Sequence, residues 1–174
     1  MERRISKIRI AILGLGIGWL VLPVASAHAQ GVLDSKRDNL EGTWGVLVTL
    51  TDCATGNPLP VPPFRSLMTF ARGGSLFESS GGLFFAPNQR SVGHGRWTHM
   101  QGHTYGQHVL ALILFDNTPQ TVPPLFAGWQ TVDHVVTLTG RDSFTSEGTT
   151  AFIRASGEVY RQGCSKAVGE RFRG

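Results

Sequence analysis

Gly42-Thr43-Trp44-Gly45-Val46-Leu47-Val48-Thr49-Leu50 is the stretch that decides the fold. Trp44, Val46, Val48 and Leu50 alternate with Thr43, Gly45, Leu47 and Thr49. That is a period of two, the signature of a half-buried strand, since successive strand side chains point to opposite faces. The same rhythm recurs downstream. Arg65 to Arg72 and Ser75 to Ser80 read as a second and third strand around Gly73-Gly74, a two-residue turn in which glycine tolerates the positive φ required. Val92 to Met100 and His103 to Phe115 read as a fourth and fifth strand around Gln101-Gly102. Gly128 to Thr139 is a sixth, Ser143 to Arg154 a seventh and Gly157 to Gly163 an eighth. The tail from Ser165 to Phe172 reads as one or two helical turns. Asp52 to Pro63 holds Gly56 and four prolines, which makes it a long loop. Gly81 to Gln89 and Asp116 to Pro124 are further loops.

About eight short strands joined in sequence predict an all-β fold, an up-and-down antiparallel barrel in preference to a sandwich, because closure removes exposed sheet edges. Composition agrees. The chain has 174 residues, of which 41% are hydrophobic, 16% are charged and 22 are glycine. An ordinary soluble domain carries about 25% charged residues and about 7% glycine. So few charges and so many glycines exclude a coiled coil, a helical bundle and a disordered acidic chain.

Residues 1–29 have the three parts of a secretory signal. A basic start, Met1 to Arg9, precedes an apolar run from Ile10 to Val24, and Ala27-His28-Ala29 is a cleavage site that predicts a mature start at Gln30. Ala25-Ser26-Ala27 is a second possible site. The apolar run is shorter than the roughly 20 residues of a membrane span, so a cleaved leader is expected and no membrane association after cleavage. One domain then occupies residues 30–174, in a periplasm or outside the cell. The leader contributes Arg3, Arg4, Lys7 and Arg9 against Glu2, which is three of the chain's net +4. The body is nearly neutral and has no basic stripe, so nucleic acid is not an expected partner. The oligomeric state leaves no mark on the sequence.

Cys53 and Cys164 are the two cysteines, and in an oxidising compartment such a pair reads as one disulfide. The strand count resists it. If the eighth strand stops at Gly163, Cys53 and Cys164 belong to opposite rims of a meander. Either a strand is miscounted, or the chain crosses the barrel end before Cys164.

The Gly42-Thr43-Trp44 opening resembles the G-x-W signature of the lipocalin and calycin barrels. That resemblance implies a barrel with Trp44 packed across one end. The runs Gly93-His94-Gly95-Arg96-Trp97, Ala111-Leu112-Ile113-Leu114-Phe115-Asp116 and Ala127-Gly128-Trp129-Gln130-Thr131, with others, are similar to a group of uncharacterised secreted bacterial proteins, which implies no activity.

Chemistry-bearing residues are sparse. There is no G-x-S-x-G, H-E-x-x-H or G-x-x-x-x-G-K in the body, and no catalytic residue, cofactor or metal is expected. Glu78, Asp116, Asp133 and Glu147 read as solvated carboxylates without partners. His94, His99, His103 and His108 crowd together, but spacings of five put members on opposite faces. A two-residue turn at Gln101-Gly102 opposes His99 to Thr104, Trp97 to Gly106 and Gly95 to His108, so that His99, Trp97 and His108 share a face. No acid joins them locally. His134 differs from these: it alternates with Val132, Val136 and Leu138, so it faces the interior. There it is either a satisfied core histidine or the polar anchor of a ligand cavity. Phe70, Trp97, Phe144 and Phe152 are expected inside as well. Ser146, Gly148 and Thr150, small residues between Phe144 and Phe152, leave a void or fit a neighbour's bulk. The functional expectation is a binding barrel for a small apolar molecule, lined by His134, Trp97, Phe144, Phe152 and Phe70. The alternatives are a cofactor-independent isomerase or cyclase, and a packed interaction protein without a ligand.

Overall fold

In the computed structural model, which describes residues 39–81, 88–114 and 126–173, the alternating segments close into one barrel. The eight strands are β1 (Gly42–Thr51), β2 (Phe64–Phe70), β3 (Ser75–Gly81), β4 (Gly93–Gln101), β5 (Thr104–Ile113), β6 (Gly128–Gly140), β7 (Ser143–Arg154) and β8 (Val159–Arg171). Each pairs antiparallel with its sequence neighbour, and β1 pairs with β8 to close the sheet. The fold is therefore the expected all-β, up-and-down antiparallel barrel, compatible with a calycin-like architecture. The leader, its cleavage sites, Phe84-Phe85 and Asp116 lie outside the described residues.

Period two is clearest in the burial of β5. Tyr105, Gln107, Val109, Ala111 and Ile113 are buried on β5, while His108, Leu110 and Leu112 are exposed. The turn between β2 and β3 places Gly73 at φ 88° and Gly74 at φ 90°, the left-handed conformation that a Cβ would penalise.

Three expectations are corrected. First, Ser165 to Phe172 is not helical. β8 continues through Arg171, with Ser165, Ala167 and Gly169 buried and Lys166, Val168 and Glu170 exposed. Second, this extension places Cys164 within β8, opposite Thr51 at the end of β1, and so dissolves the rim conflict. Cys53 and Cys164 are disulfide-bonded with Cα atoms 5.2 Å apart. A disulfide of this kind is typical of proteins that fold in an oxidising compartment. Third, β4 and β5 pair one residue away from the expected register. Gly95 opposes Val109, Trp97 opposes Gln107 and His99 opposes Tyr105, because an irregularity between His99 and Gln101 adds a residue to the turn. His108 thus lies on the outer face, away from Trp97.

One end of the barrel is solid. Trp44 is fully buried there, its indole N–H donates to Leu40 O at 2.9 Å, and the Arg171 guanidinium lies 4.2 Å over its ring. Arg171 also donates to the carbonyls of Asn39 and Glu41 and pairs with Asp142, which ties the segment before β1 to the end of β8. Phe144 meets Trp44 at 4.9 Å between ring centroids and Phe70 at 6.3 Å. Trp97 meets Phe70 at 6.2 Å and Tyr105 at 5.7 Å. Gly169 makes room for this stack, since a Cβ there would lie 2.3 Å from two Phe144 ring carbons.

Candidate functional site

Above the aromatic plug the inward side chains shrink, and a cavity opens. On β7, Phe144 gives way to Ser146, Gly148 and Thr150; on β8 the inward residues are Ser165 and Ala167. Its volume is about 90 Å³. A cavity needs roughly 10–15 Å³ to admit one water, so this space suits several waters or a small organic molecule. An apolar wall comes from Val46, Val48, Met68, Val109, Val132 and Ala167. The polar wall comes from Ser66, Glu78, Arg90, Gln107, Gln130 and His134, with three further hydroxyls from Ser146, Thr150 and Ser165.

His134 is buried and faces the interior, as its alternation predicts. Both ring nitrogens are engaged, Nδ1 with Ser146 Oγ at 3.1 Å and Nε2 with Ser165 Oγ at 2.9 Å. A neutral imidazole offers one donor and one acceptor, and two hydroxyls satisfy both. Burial lowers its pKa from 6.5 to about 4, against a smaller opposing pull from the Asp133 carboxylate. The ring is therefore neutral at pH 7. Gly148, its register partner on β7, is obligatory: a Cβ there would lie 2.7 Å from His134 Cα and 1.9 Å from Asp133 O.

Glu78 corrects the sequence expectation of solvated carboxylates. It is 7% exposed and forms an ion pair with Arg90 Nη2 at 2.5 Å. Ser66 Oγ donates to it at 2.9 Å, and Ser80 Oγ donates as well. Arg90 Nε donates to Gln130 Oε1 at 2.5 Å, Gln130 Nε2 to Thr150 Oγ1 at 3.1 Å, and Thr150 Oγ1 to Thr131 O at 2.9 Å. This chain of bonds leaves the two buried charges mutually neutralised, the condition under which a protein interior tolerates them.

Gln107 completes the wall. It sits on β5 in register with His134 and is 6% exposed, yet its Oε1 has no hydrogen-bond partner among the described residues. Asp133, also expected to stand alone, accepts a hydrogen bond or ion pair from His108 Nδ1 at 2.5 Å on the outer face. Asp133 is thus the acid that the histidine cluster seemed to lack. Among the described residues, no three His, Cys, Asp or Glu side chains come together.

Of the five side chains expected to bind a ligand, the structure places His134 at the cavity. Trp97, Phe70 and Phe144 belong to the solid end. Phe152 lies on the β7–β8 hairpin, 6.1 Å from Tyr160 and under the Arg161 guanidinium. Arg90, Gln107 and Gln130 line the cavity with no expectation attached to them, and Glu78 lines it against the expectation of a solvated carboxylate. For Gln107 the signal is its inward place between Tyr105 and Val109; Glu78 lies between Leu76 and Ser80, Arg90 precedes β4, and neither carries a local signal. No family model, no curated protein and no solved structure matches this chain.

Proposed function

We propose that this protein is an exported barrel that holds one small, largely apolar molecule above its aromatic plug. The observation that carries the reading is the cavity between Val46, Val109, Val132 and His134, enclosed on one side by the packed Trp44 end. Sites of this kind pair a mainly apolar wall with a few placed polar groups. The resemblance of Gly42-Thr43-Trp44 to the lipocalin signature, the similarity to secreted bacterial proteins and the signal-like residues 1–29 support export and a lipocalin-like role. The disulfide accords with it. Titration with a naphthalene-type fluorescent probe, followed by native mass spectrometry, tests the reading. Probe uptake with one guest per chain is expected; a dark probe and a bare mass with every small aromatic tried would refute it.

A second reading, a cofactor-independent isomerase or cyclase, draws on one observation: His134 and the Glu78 carboxylate line the same cavity. It requires one of them to exchange a proton with a guest near neutral pH. NMR titration of His134 with and without a bound aromatic separates the two readings, because a binding barrel leaves the ring neutral in both.

A further inference from the structure

The polar inventory of the cavity leaves one atom over. Glu78, Arg90, Gln130 and Thr150 satisfy one another in series, and His134 is satisfied by Ser146 and Ser165. The Gln107 carbonyl oxygen, on a residue 6% exposed, is the buried side-chain atom without a partner among the described residues. An unpaired buried acceptor of this kind carries its full desolvation penalty, which a guest with a matching donor recovers. Charge narrows the class of guest. Glu78 and Arg90 cancel, so an ionic guest enters with its charge unmatched and its desolvation uncompensated. Size narrows it again, because a cavity of about 90 Å³ suits one ring rather than a long chain.

Building on the proposed binding role, we infer that the cavity selects an uncharged, single-ring alcohol or phenol whose hydroxyl donates to Gln107 Oε1. The ring lies against Val46, Val109 and Val132. Nothing covalent happens; the selectivity is the difference between a paired and an unpaired carbonyl.

Three probes of one shape test this: p-cresol, toluene and p-toluate, each titrated calorimetrically against the oxidised full-length mature chain. Cresol is expected to bind about tenfold or more tighter than toluene, and p-toluate weakest of the three. In Gln107→Leu the cresol preference collapses to near one, because toluene gains and cresol loses. Equal affinities for cresol and toluene in the unaltered protein overturn the inference while the binding role stands, and that comparison needs no variant. A preference retained in Gln107→Leu, or tighter binding of p-toluate, also overturns it. If none of the three binds, both the inference and the binding role fall.

Discussion

Acid should unfold this barrel through His134. Below pH 6.5 the imidazole of an unfolded chain takes up a proton, but in the folded barrel burial withholds it until about pH 4. Between those values the unfolded state binds more protons, so stability falls as pH falls. At about 1.4 kcal/mol per tenfold change in the proton equilibrium, the full difference is worth about 3 kcal/mol, a large share of a typical domain's stability. The loss begins near pH 6.5, is complete near pH 4 and levels off below. Urea unfolding with the disulfide intact, repeated from pH 7.5 to 3.5, measures it. Other titrating groups contribute to the raw curve, so the informative quantity is the difference between the unaltered protein and His134→Leu. The difference should shrink by about 3 kcal/mol across the window as the advantage of a neutral buried ring disappears. A difference flat with pH would show that His134 titrates normally, and the reasoning about its burial would be wrong.

Three further outcomes follow from the packing. Glu78→Gln leaves the buried Arg90 guanidinium without its counter-charge and should cost about 3–5 kcal/mol in urea unfolding, whereas Glu78→Leu combined with Arg90→Met should lie closer to the unaltered protein than either single change. Gly169→Ala puts a methyl 2.3 Å from the Phe144 ring and should lower Tm, at about 1–3 kcal/mol of overpacking, while Gly163→Ala, whose methyl meets Thr150 Cγ2 at an ordinary 3.6 Å, should leave Tm nearly unchanged. Replacing Cys53 and Cys164 together by Ser removes a cross-link between residues 111 apart in sequence. Chain entropy sets the loss at up to about 4–5 kcal/mol, read as the difference in urea unfolding between the two proteins.

How far the sequence reached follows the physics of alternation. Strands with large apolar residues on one side, such as Trp44-Val46-Val48 and Val132-Val136-Leu138, announce themselves, and His134 was placed by its neighbours. β8 did not announce itself, because its inward residues are Ser165, Ala167 and Gly169. These are small enough to sit beside the cavity and the Phe144 ring, and the apolar Val168 points outward. The void itself was legible as one of two possibilities in the Ser146-Gly148-Thr150 run. Its polar wall was not. A buried Glu78 and a solvated one look alike in sequence when the partner, Arg90, arrives from a segment twelve residues away. The β4–β5 register slipped by one for a similar reason: turn chemistry at Gln101-Gly102 fixes a hairpin only when no residue bulges beside it.

The barrel is solid at the Trp44 end and hollow beside Gln107 and His134. Backbone NMR shifts on titration with p-cresol test this arrangement most directly. Saturable shifts are expected at Val46, Gln107, Val109, Val132 and Ser146, with Trp44, Phe70 and Leu138 at the plug unmoved. Shifts confined to the outer face, or centred on the plug, would contradict it.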